Sequence, residues 1–157
     1  MIGERRLLIL SCSQRKRPDP DLLPAVERYN GPSYQVLRRY LRESAKASLL
    51  DVYILSAAYG LIPSDYPIPD YNQKMTPECA AELRDCVGGM FLQVLQKNGY
   101  ESICLAMSKL YLSVLAGGES SIPHGVSVTV TGGSQGAKLA QLKHWLWGDT
   151  SDSTNQQ

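Results

Sequence analysis

Four short apolar runs, at residues 6–10, 52–55, 103–107 and 126–131, constrain this chain more than any other feature, because a helical pattern follows each of them. A strand buried on both faces reads as a continuous apolar run rather than as apolar–polar alternation. Strands that alternate with helices imply right-handed crossovers and a parallel sheet covered on both sides. The expected fold is a single three-layer α/β domain: a four-stranded, mainly parallel sheet with helices on both faces.

The helix signals agree. Gly31-Pro32-Ser33 opens a segment carrying Tyr34, Leu37, Tyr40 and Leu41, with Pro at the first helical position, where its missing N–H is not needed. Thr76-Pro77-Glu78 opens a second helix, which Asn98-Gly99 closes; Gly88-Gly89 inside it predicts a kink. A third should start at Ser108, and a fourth should run over 134–147. The domain is expected over residues 1–148, with a disordered polar tail at 149–157.

Bulk properties exclude several classes. The 157 residues hold sixteen Lys and Arg against fifteen Asp and Glu, a net charge of +1, so any affinity for polyanions must come from a local patch. No run approaches the roughly 20 apolar residues of a membrane helix, and no signal peptide is legible. Cys12, Cys79, Cys86 and Cys104 form no C-x-x-C pair and no metal-ligand spacing with the two histidines. The sequence therefore predicts a cytoplasmic protein with reduced thiols, no membrane contact, no metal and no cofactor. Nothing in it sets an oligomeric state.

In a parallel sheet the C-terminal strand ends share one rim, where ligands usually bind. The unusual residues lie there. After the first strand come Ser11, Cys12, Ser13, Gln14, Arg15, Lys16 and Arg17; Arg15 and Lys16 are candidates to hold an anion, while Cys12 reads either as a thiolate nucleophile or, more simply, as a small residue in a tight turn. After the second strand, small residues lead to Tyr59 and Gly60 and then to Tyr71. The tyrosines either stack on a base or cover the core. Asp65 and Asp70 are this loop's only carboxylates, and Asp65 is the candidate to position a water. Ser108 reads as a helix cap, followed by Lys109. The fourth turn, Gly132, Gly133, Ser134, Gln135 and Gly136, offers free amides at a helix start to a phosphate, although it is no P-loop. His124 and His144 read as surface or packing residues.

Three motifs in order, S-C-S-Q-R-K at 11–16, Y-N-G-P-S-Y at 29–34 and L-S-A-A-Y-G-L-I-P at 55–63, with P-D-Y-N at 69–72, resemble a family of uncharacterised prokaryotic domains over residues 6–146. Residues 55–75 are also similar to the YaaA peroxide-stress family, thought to bind DNA, and the domain is remotely similar to folds of the uracil-DNA glycosylase type. Gln14 replaces the usual Lys, and Tyr59 stands where His is common. The resemblance implies nucleic-acid binding at the C-terminal rim of the sheet.

These observations lead to a nucleotide- or nucleic-acid-recognising domain in which Arg15 and Lys16 meet phosphate and Tyr59 or Tyr71 meets a base. An enzymatic version hydrolyses a nucleobase or its N-glycosidic bond through Asp65. A small-nucleotide enzyme or sensor and a non-catalytic interaction module are the alternatives.

Overall fold

The computed structural model describes residues 5–116 and 118–155, with side chains described through residue 148. The chain runs β1 (Arg6–Ser11), β2 (Leu23–Pro24), α1 (Ala25–Arg28), α2 (Pro32–Glu43), β3 (Leu50–Ser56), β4 (Gly60–Pro63), β5 (Pro67–Ile68), α3 (Pro77–Lys97), β6 (Ser102–Ala106), α4 (Lys109–Leu115), β7 (Ser127–Val130) and α5 (Gln135–Asn155). The polar tail expected from 149 falls on residues whose side chains lie outside the described set.

The sheet has five strands in the order β4-β3-β1-β6-β7 and is mixed, which corrects the four-stranded expectation. The four strands read from the sequence are parallel neighbours, with β1 at the centre. The fifth, β4, is antiparallel to β3. Its cause is local: the Ser56 hydroxyl accepts the amides of Ala58 and Tyr59, each at 3.1 Å, and Gly60 adopts φ +74°. Together they reverse the chain within a few residues, where the sequence shows only small residues and a glycine. The chain beyond β4 is equally structured, because β5 pairs antiparallel with β2 in a separate two-stranded ribbon.

Alternate residues of β1 serve opposite layers. Leu7 and Ile9 pack with Val87, Phe91 and Val114 of α3 and α4. Leu8 and Leu10 pack with Leu37 of α2 and Leu142 of α5. Helices thus cover both faces, as a parallel sheet requires. The run at 126–131 was expected to be buried but forms an edge strand: Val128 and Val130 are 42% and 48% exposed. Helix α3 continues unbroken through Gly88 and Gly89; Thr76 caps it by accepting the Cys79 amide at 3.0 Å.

The excursion between β1 and α2 is pinned from inside. Arg28 is fully buried and donates to the carbonyls of Arg17, Asp19, Asp21 and Ile68. The backbone adds Arg17 N to Arg28 O at 2.8 Å and Asn30 N to Arg15 O at 2.8 Å. Both terminal nitrogens of this buried guanidinium donate to backbone acceptors, while its Nε has no hydrogen-bond partner, so the loop is tied to the interior although it has little regular structure.

Candidate nucleotide site

β1, β3, β6 and β7 end in register, with Ser11 opposite Leu55, Leu10 opposite Ala106 and Leu105 opposite Val130. Their following loops gather on one rim, where two cavities open. Consecutive residues Ser11 and Cys12 line one each.

The first cavity, about 140 Å³, is bordered by Cys12, Ser13, Gln14, Lys16, residues 72–75 and Tyr111. Its polar groups are three side-chain amides (Gln14, Asn72 and Gln73), two lysines (Lys16 and Lys74), two hydroxyls and a thiol. Amides supply both donors and acceptors, the mixture that reads the edge of a base. The Gln73 amide is partly committed, donating to the Ala57 carbonyl at 3.2 Å.

A tyrosine network backs this cavity. The hydroxyls of Tyr29 and Tyr71 share a short hydrogen bond, and Ser56 Oγ lies 3.0 Å from that of Tyr71. Lys16 Nζ stands over the Tyr71 ring, 4.5 Å from its centroid, a cation–π contact. Tyr59 meets Tyr71 edge-on at 5.3 Å. Cys12 Sγ lies 3.1 Å from the Tyr111 hydroxyl, and the Tyr34 hydroxyl donates to the Ser11 carbonyl at 2.6 Å.

Burial pushes the Tyr29 phenol up to about 12 and the Tyr34, Tyr71 and Tyr111 phenols upward as well. It also lowers Lys16, against the opposing pull of Cys12 and Asp70. The raised phenols have a testable sign. They keep their protons in the folded protein at pH values where the unfolded chain loses them. Their stabilisation is whole below about pH 10, the ordinary phenol value, and is lost as pH rises toward 12. The urea midpoint should fall across that window, with much of the tyrosinate absorbance appearing only as the protein unfolds. All tyrosines ionising in the folded state with a common midpoint near pH 10 would contradict this.

The second cavity, about 170 Å³, is bordered by Ser11, Ser33, Ser108, Thr131, Gln135 and Lys138, with Ala106, Met107 and Leu142 behind. Ser33 lies in the first turn of α2 and Gln135 opens α5, so two helix N-termini face this space, and their dipoles favour an anion. Ser108 occupies the cap position of α4 but makes no side-chain cap bond, contrary to the expectation that capping is its role. No Asp or Glu stands among the described residues lining either cavity.

Several candidates fall elsewhere. Antiparallel β4 carries the chain away from the rim: Pro63 pairs with Tyr53, and Ser64 N donates to the Val52 carbonyl. Asp65, next along, is therefore exposed toward the opposite end of β3. Arg15 is exposed and lines neither cavity. Gly60 is buried against Met90 and Val87 and serves the hairpin. Tyr59 and Tyr71 are engaged with each other, and Lys16 covers Tyr71, so neither is an open stacking platform.

In the fourth turn the Gly132 amide is taken by Gln141 Oε1 at 2.9 Å, and Ser134 Oγ caps α5 by accepting from Ala137 N at 3.1 Å. Gly133, at φ +91°, makes the turn, and Gly136 is exposed in the first helical turn. Only Gln135 of that segment lines the cavity.

The sequence reading missed Lys74, Tyr111 and Lys138. Tyr111 and Lys138 stand three residues after Ser108 and Gln135, so helical spacing placed them on the same faces as residues already singled out.

Gly31 has a steric reason. A Cβ there would lie 2.8 Å from Ser13 Oγ, while its φ of −71° is ordinary. Gly31→Ala should therefore displace the Ser13 hydroxyl from the cavity wall and cost about 1 kcal/mol of stability, an overpacking effect. Chemical denaturation checks it; an unchanged midpoint would show that Ser13 simply rotates away.

The chain belongs to a family of unknown function (DUF6884), whose model matches residues 7–144. Among solved structures it is similar to AF0587, a protein of unknown function, with a TM-score of 0.53 at 15% identity over 90% of this chain and 44% of that one. That likeness is one of fold, and this chain spans less than half the length of AF0587. No curated protein matches the sequence. Among the described residues no helix is long and apolar enough to cross a membrane, and no cluster of three His, Cys, Asp or Glu could hold a metal ion.

Proposed function

We propose that the protein recognises a nucleotide unit, either free or as an unpaired residue of a strand, with its phosphate in the Lys138 cavity and its base in the amide-lined cavity. The observation that carries this reading is the division of labour between two spaces that consecutive residues, Ser11 and Cys12, line one each. One combines Ser33, Ser108, Thr131 and Lys138 with two helix N-termini; the other presents Gln14, Asn72 and Gln73. The first set suits an oxyanion, and the second suits the mixed donors and acceptors of a base edge. The phosphate role passes from Arg15 and Lys16 to Lys138 and the hydroxyls. The similarity of residues 55–75 to the YaaA family and the remoter glycosylase-type similarity point toward nucleic-acid ligands too. Asp65 takes no part, and the reading assigns no hydrolytic step to it.

Salt dependence separates a free nucleotide from a strand. Calorimetric titration with nucleoside monophosphates and short single-stranded oligonucleotides at 50 and 200 mM salt gives the comparison. One phosphate contact predicts about a 3-fold loss of affinity over that range, whereas four or more predict roughly 50-fold or greater. The account expects the small loss for monophosphates. Absence of binding by both ligand classes at millimolar concentration would refute it.

A further inference from the structure

We infer that two copies of this chain pair through β7, antiparallel and edge to edge, so that the sheet continues across a two-fold axis through Thr129. The inference stands on the open edge of the sheet and is independent of the nucleotide reading.

β7 is the outer strand of the sheet and pairs only with β6 among the described residues. Ser127 N donates to the Glu101 carbonyl at 3.1 Å, and Thr131 N donates to the Leu105 carbonyl at 3.2 Å. Alternate residues of a parallel strand bond the same neighbour, so Ser127, Thr129 and Thr131 face β6. The N–H and C=O of Val128 and Val130 therefore point out of the sheet, and among the described residues nothing bonds to them. The open stretch has defined ends. The next outward residue, Gly132, donates its N–H to Gln141 Oε1 at 2.9 Å and accepts from Gln141 Nε2 at 3.0 Å. At the other end Val126 N donates to the Pro123 carbonyl at 3.4 Å. Edge strands are commonly blunted by Pro, Lys or a bulge. The opposite edge strand, β4, ends on Pro63, which has no N–H, whereas β7 carries none of these devices.

A groove flanks this strand on each face, and the two differ in chemistry. On the α4 side a space of about 420 Å³ is walled by Leu105, Ile122, Val126, Val128 and Val130. On the α5 side a space of about 400 Å³ is bordered by Ser127, Thr129, Glu101, His144 and Trp145. The strand that fits between them alternates apolar residues with hydroxyls. β7 itself has that pattern, Ser127-Val128-Thr129-Val130-Thr131. The charges agree: residues 125–137 carry none, so two copies of this edge meet without repulsion.

Only outward-facing residues exchange backbone bonds across an antiparallel seam. With Gly132 already taken, the register that uses both valines pairs Val128 with the partner's Val130 about Thr129. Valine then meets valine on one face and hydroxyl meets hydroxyl on the other, cross-strand pairs that stabilise a sheet. An isologous contact of this kind closes at two copies. A strand of four residues supplies only part of the roughly 800 Å² per partner of a standard interface, so the dimer is expected to be weak and concentration-dependent.

The test is sedimentation velocity of the full chain from about 1 to 500 µM, a range that spans micromolar dissociation constants. The weight-average mass should climb from 17.3 kDa toward twice that value. Val128→Lys with Val130→Lys sets like charges opposite each other and should raise the dissociation constant at least about 10-fold. Val128→Glu with Val130→Lys sets opposite charges together in this register and should keep the dimer. Amide hydrogen exchange of the wild type needs no variant: Val128 and Val130 should slow as the dimer forms, while Gly132, already bonded to Gln141, should not. A wild type that stays at 17.3 kDa overturns the inference, as does a dimer that survives Val128→Lys with Val130→Lys. A dimer whose Val128 and Val130 amides exchange as fast as in the monomer overturns the seam. A wild-type dimer lost in both double variants overturns the register.

Discussion

Lys138→Gln is expected to lower affinity for a nucleoside monophosphate about 10- to 100-fold, the value of hydrogen bonds to a charged group, while leaving affinity for the matching nucleoside unchanged. Lys138 is the cation of the hydroxyl-rich cavity, set on the first turns of α5 with Gln135. Its charge has no partner in a base, so the substitution should erase only the advantage of the phosphate. Gln keeps most of the aliphatic stem against the helix and removes only the charge, so the melting temperature should stay within a degree or two. Paired calorimetric titrations of nucleoside and nucleotide against both proteins check this. Equal losses for the two ligands would show that Lys138 shapes the cavity instead of meeting an anion.

Arg28→Ala should be the most damaging single substitution for stability. The buried guanidinium satisfies four backbone carbonyls drawn from the 17–21 loop and from Ile68 of β5. Its removal leaves a void and several acceptors without donors, and the loop escapes that penalty only by unfolding into solvent. A loss of about 3–5 kcal/mol is expected, lowering the melting temperature by roughly 6–20 °C. Because the same loop carries Gln14 and Lys16 to the rim, nucleotide binding should weaken together with stability. Arg28→Lys keeps the charge without the fork and should fall between the two. A loss below about 1 kcal/mol would mean that the loop is held by its backbone bonds alone.

The four parallel strands and their helices were legible because buried runs and Pro-initiated helix starts are local signals, as at residues 6–10 and at Thr76-Pro77. Strand β4 was not legible. Its reversal depends on the Ser56 hydroxyl gathering two amides, a feature that a string of small residues does not announce. That omission misplaced Asp65, since an unrecognised antiparallel strand carries the chain to the other end of the sheet. The edge position of β7 was hidden for a related reason: strand order is a tertiary fact, and V-S-V-T-V reads alike at an edge or at the centre.

At the rim, the segments after β1, β6 and β7 were found because they directly follow strands. The charge-bearing members were chosen less well. Arg15 and Lys16 are adjacent, and only the backbone bond from Asn30 to the Arg15 carbonyl, with the Lys16–Tyr29 bridge, decides which of them turns inward. Tyr71 looked like a stacking surface. Its ring is instead consumed by Lys16 and Tyr59, a set of contacts spread over 55 residues of chain.

The most direct test is amide chemical-shift mapping of isotope-labelled protein titrated with a nucleoside monophosphate. The largest shifts should fall on Ser11 to Ser13, Asn72 to Lys74, Ser108 and Gln135. A second groove, lined by Glu119, residues 122–126, Val128 and Val130, lies beside β7; shifts gathered there instead, or no shifts at millimolar ligand, would contradict the assignment of this rim.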